Sequence, residues 1–231
     1  MRAHAAPAEH VPLPAKTPLR TVHHGAWVAL EPLSSRHAEA LWPLARDHAD
    51  AWNTLPAGPF PSERAFEAYL RFMERSSDEF VWSVRPRDAN GTPASPAGWL
   101  ALLDVQPAHA RVEIGNVWFP PGLARTRAAT EAVYLLLAYA FEDLNAQRVS
   151  WKCDPVNGSS RRAAERLGFR FEGVLRSHLL FKRRRRDTAY FSLLAEEWPE
   201  QRRAFREWLA PDNFDGGGMA LTRLRRTADR S

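Results

Sequence analysis

The densest run of apolar positions lies mid-chain. Residues 132–141 carry an apolar or aromatic side chain at every position. The run is too long for a strand and shows no alternation, so it predicts a central helix buried on nearly all sides. Just upstream, residues 112–119 are rich in β-branched and aromatic side chains and predict a strand, which Pro120-Pro121-Gly122 stops. The loop between them delivers the chain onto a helix N-terminus. Unpaired N–H groups and the helix dipole gather at such an end, which makes it a ready anion site.

The flanking pattern is one of short elements. Residues 26–31 predict a strand closed by Pro32. Ser34 or Ser35 can cap a helix bearing Ala38, Leu41, Trp42, Leu44 and Ala45, and Ser62 opens a second with Phe66, Tyr69, Leu70 and Met73 on one face. Between the helices, Trp52, Leu55 and Phe60 stand among Pro and Gly. That predicts a structured loop, which either roofs an acceptor pocket or joins the core. Strands at 80–85 and 98–105 are separated by the turn signal Asp88-Ala89-Asn90-Gly91. After the central helix come a strand at 148–153 with Val149, Trp151 and Cys153 facing one way, and a helix capped by Asn157 and stopped at Gly168. Two strands, at 170–181 and 188–194, are joined by the basic turn Lys182-Arg183-Arg184-Arg185-Arg186, and an amphipathic helix follows at 196–209. This order is α+β with a mixed sheet. Residues 1–22 read as a flexible leader, 23–199 as one domain, and 200–231 as a helix end with a loose basic tail.

Composition narrows the class. With 45% hydrophobic and 11% aromatic residues in 231, the chain has ample core material and is not disordered throughout. The one cysteine, Cys153, excludes an internal disulfide and fits a reducing compartment. No apolar run is long enough for a bilayer, and residues 1–20 lack a signal core, so a soluble cytoplasmic protein without membrane contact is expected. The net charge of +5 equals the charge of the 182–186 run alone, so the rest of the chain is balanced. That run has no interleaved aromatics for base stacking. It reads as a solvated hairpin resisting edge pairing, or as attraction for an acidic acceptor, rather than as a nucleic-acid site. A homodimer stays open.

Several short patterns point further: Val112-Glu113-Ile114-Gly115; Ala129-Thr130-Glu131-Ala132; Lys152-Cys153-Asp154 with Asn157 and Ser160; Arg166-Leu167-Gly168-Phe169 with Glu172-Gly173; and Arg186-Asp187 before Phe191-Ser192. In this order, from about Gly25 to Pro199, the chain resembles the GNAT superfamily of acetyl-CoA-dependent N-acetyltransferases, in the branch of the RimJ/RimL ribosomal-protein enzymes. The resemblance implies a mostly antiparallel seven-stranded sheet, splayed between its fourth and fifth strands and flanked by helices, here with an extra C-terminal helix. It implies acetyl-CoA as co-substrate, no metal, and a primary amine as acceptor, either a protein N-terminus or a small molecule. The rival is a GNAT-fold CoA-binding module without transferase activity.

The same resemblance assigns roles. Val117, Trp118 and Phe119 lie along the pantetheine arm, and a backbone N–H there polarises the thioester carbonyl. Pro120 and Pro121 cannot donate. Arg125, Thr126, Arg127, Ala128, Ala129 and Thr130 form the pyrophosphate loop, and Asn157 contacts the cofactor besides capping its helix. The family's loop reads Gln/Arg-x-x-Gly-x-Gly/Ala. Here Ala124, Arg127 and Ala129 stand at those places, so the Gln/Arg and the first Gly are absent. A side chain at 127 restricts positive φ. Arg125 and Arg127 can instead pair with phosphate oxygens, or point to solvent. Glu113 is the candidate base, with a structural ion pair to an arginine such as Arg111 as the other reading. Ser160 is the candidate for protonating the leaving thiolate, or is only a first-turn helix residue. His178 is a second candidate base, or a structural strand residue. Cys153 reads as a small core residue, not an acyl carrier.

Overall fold

A computed structural model describes residues 15–224. Its strands are β1 (His23–His24), β2 (Val28–Pro32), β3 (Glu79–Pro86), β4 (Gly98–Gln106), β5 (Arg111–Trp118), β6 (Arg148–Cys153), β7 (Arg170–Phe181) and β8 (Arg184–Leu194). The helices are α1 (Ala38–Asp47), α2 (Glu63–Arg75), α3 (Arg127–Ala138), α4 (Gly158–Arg166) and α5 (Trp198–Leu209). One mixed sheet holds all the strands in the order β1-β2-β3-β4-β5-β6-β8-β7. It has eight strands where the sequence predicts seven. The addition is β1, two residues paired to β2 through His23↔Leu30 and His24↔Ala29. A strand that short carries no periodicity to read.

Two cores cover the sheet. Ile114, Val133, Leu136, Leu137, Val149, Trp151 and Phe205 belong to one, which joins α3 and α5 to the sheet. Leu41, Trp52, Phe66, Leu70, Trp99 and Trp118 belong to the other, under α1 and α2. The β5–β6 pair is parallel, whereas the other neighbours run antiparallel. It pairs only through Arg111↔Arg148, Val112↔Val149 and Glu113↔Ser150, and then the strands part. β5 also carries a bulge. Trp99↔Trp118 and Ala101↔Gly115 oppose two steps on β4 to three on β5, and Asn116 takes a φ of 44°. The bulge reverses the alternation, so that Trp118 joins the α1–α2 core.

The chain ends differ from expectation where they are described. Within the expected leader, residues 15–22 pack on the body. Ala15 is buried, Leu19 N donates to Tyr139 Oη (2.7 Å), Arg20 Nη2 donates to the carbonyls of Ser76 (2.6 Å) and Glu79 (2.9 Å), and Trp82 Nε1 donates to Thr21 O (2.7 Å). This stretch supplies partners that buried groups of the body need. At the other end, Trp208 Nε1 donates to Thr222 O (3.0 Å), Thr222 N donates to Asn213 Oδ1 (3.0 Å) and Leu224 is buried, so the first part of the expected tail folds back on α5. Residues 1–14 and 225–231 lie outside the described residues. The basic run is mostly strand. Only Lys182 and Arg183 form the turn, with φ of 47° and 66°, the positive pair that a two-residue hairpin requires. Among the described residues no helix is long and apolar enough to cross a membrane.

Candidate active site

Glu113 occupies the last paired position before β5 and β6 part, and it is 6% exposed. Its diagonal neighbour on β6 is Lys152, whose Nζ lies 2.6 Å from Glu113 Oε2 and 3.0 Å from Asp104 Oδ2. Arg111, expected as the partner of Glu113, instead reaches Asp104 at 2.8 Å. Burial raises the Glu113 carboxyl above its ordinary pKa, and the Lys152 ammonium opposes that rise. Burial works against the Lys152 charge, but Glu113 and Asp104 outweigh it and hold the ammonium above the usual lysine range. The second carboxylate oxygen is accommodated by a glycine. A Cβ on Gly115 would stand 2.9 Å from Glu113 Oε1 and 2.8 Å from Leu103 Cδ2. Sequence reading missed Lys152 as a site residue because its role depends on cross-strand register.

The bulge positions a further group. Asn116 Nδ2 donates to Glu79 Oε2 at 2.9 Å. Tyr69 from α2 stands beside this pair, and burial lifts its phenol to about 12. Among the described residues no cation lies within ion-pair distance of the Glu79 carboxylate. Trp118 stacks on Trp52 (5.2 Å) and touches Trp99 (4.3 Å), so its side chain belongs to the core and only its backbone can face a cofactor. Val117 and Phe119 are half-buried. Trp52, offered as a roof or as core, is core at 1% exposure.

At the start of α3, Thr126 is the N-cap. Its Oγ1 accepts from Ala129 N (3.1 Å) and donates to Leu123 O (2.7 Å). The N–H groups of Arg127 and Ala128, at the first two helical positions, have no carbonyl within the helix to bond. The left-handed residue of the loop is Arg125 (φ 66°), not Arg127. Arg125 is exposed, while the Arg127 guanidinium lies 3.7 Å over the Trp27 ring and 5.2 Å from the Phe214 ring. That stacking offsets the penalty of a cation at a helix N-terminus. It engages the guanidinium face, and hydrogen bonds to an anion use its edge. Ala128 and Ala129 are buried and offer backbone only. Thr130 Oγ1 donates to Thr126 O (3.1 Å) and accepts from Arg166 Nη2 (2.9 Å). Burial lowers the Arg166 pKa, and among the described residues no carboxylate pairs with it. This largely buried cation at the first turn of α3 was visible in the sequence only as part of a motif.

On the opposite face of β6 from Lys152 lie Trp151 and Cys153. Trp151 Nε1 donates to Ser160 Oγ at 2.9 Å. Asn157 Oδ1 caps α4 by accepting from Ser160 N (3.1 Å). Burial raises the Cys153 thiol, and the Ser160 hydroxyl beside it opposes that rise. His178 is exposed, with Nδ1 3.1 Å from Thr188 Oγ1 and its ring 5.6 Å from that of Tyr190. Tyr190 in turn faces Lys152 Nζ at 5.2 Å. Glu113 and His178 therefore belong to one face, linked through Lys152 and Tyr190, with Ser160 across the strand from them. At the hairpin tip, Lys182 Nζ donates to the carbonyls of Trp52 (2.6 Å) and Gly58 (2.8 Å), clamping β7–β8 onto the loop after α1. Among the described residues no cluster of His, Cys, Asp or Glu could hold a metal ion.

Comparison with known proteins matches this arrangement. A sequence profile of the acetyltransferase (GNAT) domain fits residues 28–170. A solved GCN5-related N-acetyltransferase from Brucella melitensis superposes with a TM-score of 0.86 at 39% identity, over 91% of this chain and 95% of that one. A GNAT-family acetyltransferase structure from Chromobacterium violaceum ATCC 12472 gives 0.78 at 40% identity, over 86% of this chain and 98% of that one. YdaF of Bacillus subtilis (strain 168), which carries a ribosomal N-acetyltransferase name, is 32% identical over 123 residues, 51% of this chain and 67% of YdaF.

Proposed function

The chain belongs to the GNAT acetyltransferase family, its likeness to YdaF supports the RimJ/RimL-like branch, and we propose that it acetylates a primary amine by direct attack on acetyl-CoA in a ternary complex. The observation that carries this is the parting of β5 and β6 immediately past a buried, ion-paired carboxylate. The free N–H groups of Arg127 and Ala128 hold the pyrophosphate, supported by Arg125, Arg166 and the edge of Arg127. The backbone of 117–119 runs beside the pantetheine arm, next to Asn157.

In the reaction, the acceptor nitrogen forms the C–N bond and the C–S bond breaks with its electron pair on sulfur. Glu113 takes the amine proton through Oε1, the oxygen on the Gly115 side, while Lys152 holds Oε2. The sulfur takes the Ser160 proton, and the seryl oxygen is reprotonated from water. His178, farther along the same face, is the second candidate base. The name of YdaF supports a protein N-terminus as acceptor. The closed contact between Lys182 and the loop at Trp52 to Gly58, and a Glu79 that pairs with no cation among the described residues, favour a compact cationic amine. The cysteine usage supports a cytoplasmic location.

Thiol release from acetyl-CoA, screened over small amines and short peptides, tests this reading. Glu113→Ala is expected to lower kcat by about a hundredfold. Full activity of both Glu113→Ala and Ser160→Ala on every accepted amine overturns the assignments.

A further inference from the structure

We infer that Trp151 is a positioning residue, which fixes the Ser160 hydroxyl as a proton donor toward the leaving sulfur. The inference rests on the reading of Ser160 as the group that protonates the thiolate. A serine hydroxyl has one proton and two lone pairs, whereas an indole N–H can only donate. Trp151 Nε1 donates to Ser160 Oγ at 2.9 Å, so the oxygen is engaged as an acceptor and its proton is directed elsewhere. The backbone on either side is fixed. Trp151 is 6% exposed and hydrogen-bonded within β6–β8 opposite Phe191, and the Ser160 N–H is capped by Asn157.

Beside Ser160 is the Cys153 thiol, whose rise in pKa the hydroxyl opposes; a neutral thiol is only a weak acceptor. A thiolate formed in the splay is charged and therefore a much stronger acceptor. Position supports this. Trp151, Lys152 and Cys153 are the residues of β6 that have parted from β5, so Ser160 leans on the open flank of the splay. Satisfying a buried indole does not by itself account for the serine. Trp99 and Trp118 bury their Nε1 atoms without a partner among the described residues.

The test is a double-mutant cycle on kcat, with KM for acetyl-CoA measured alongside. The variants are Trp151→Phe, Ser160→Ala and the pair. A fourth, made alone and together with Ser160→Ala, replaces Trp151 by benzothienylalanine, which keeps the bicyclic shape and removes only the N–H. In the Ser160 background, both Trp151 variants are expected to lower kcat about three- to tenfold with KM little changed. In the Ser160→Ala background they are expected to change nothing. An equal loss in both backgrounds shows a packing role and overturns the inference. So does wild-type kcat for the benzothienyl variant while Ser160→Ala is impaired. Wild-type kcat for Ser160→Ala overturns the reading of Ser160 itself, whatever Trp151 does.

Discussion

Glu113 feels two opposed influences, and the balance sets a measurable pH dependence. Burial favours its neutral form, and Lys152 at 2.6 Å favours the ionised form. A base must be ionised to act, so kcat should fall at low pH as Glu113 takes up a proton, at a pH above the usual carboxylate range. Removing the ammonium withdraws the opposing influence and raises the Glu113 pKa further. The acidic limb of the kcat profile is therefore expected to move to higher pH in Lys152→Met. A limb that stays in place or moves to lower pH contradicts Glu113 as the base. Gly115 gives a second handle. Its missing side chain makes room for Oε1, so Gly115→Ala should displace the carboxylate and cost about 1–3 kcal/mol in denaturant unfolding, together with a drop in kcat. Glu113 was legible in the sequence through its motif. Lys152 lay in another quoted pattern, but its pairing follows from the parallel register of β5 and β6, which no local pattern encodes.

The helix α3 shows the same division at the scale of an element. Its existence followed from the apolar run, and the end of the strand before it followed from Pro120-Pro121-Gly122. The cap at Thr126, the left-handed residue at Arg125 and the stacking of Arg127 on Trp27 did not. Those depend on a loop conformation and on the turn between β1 and β2, about a hundred residues upstream. The loop thus keeps a positive φ without the usual glycine, two residues earlier than the motif alignment implies. If the pyrophosphate sits on the first two N–H groups, the arginines around it should govern affinity. Calorimetry with acetyl-CoA is expected to show about tenfold or weaker binding for the pair Arg125→Ala and Arg127→Ala, from loss of charge-assisted contacts. Arg127→Ala also loses its stack on Trp27, so thermal melting must be measured in parallel. Weakened affinity in a variant that still melts near wild type assigns the effect to phosphate. Unchanged affinity removes both side chains from the site.

Across the whole molecule, the two cores hold the sheet rigidly on either side of a gap that only the middle strands share. The α+β class, the succession of elements along the chain and the C-terminal helix were legible because each rests on periodicity and punctuation, whereas the arrangement of the sheet came from the family resemblance. What closes the acceptor side was not, because it joins segments more than a hundred residues apart: Lys182 Nζ on the carbonyls of Trp52 and Gly58. The contact ties these two segments together. It also explains how two non-glycine residues hold left-handed conformations at the hairpin tip, since an ammonium spread over main-chain carbonyls gives the strained turn an anchor. Lys182→Met keeps the stem and removes the donors. Amide hydrogen exchange is then expected to speed up in residues 52–60, with little change in α3 or β5. If the clamp sets acceptor size, the same variant should gain activity on short peptides relative to small amines. Faster exchange without that gain would leave the clamp a purely structural tie and return the acceptor question to Glu79. There, Glu79→Gln should raise KM for a cationic amine while leaving KM for acetyl-CoA unchanged.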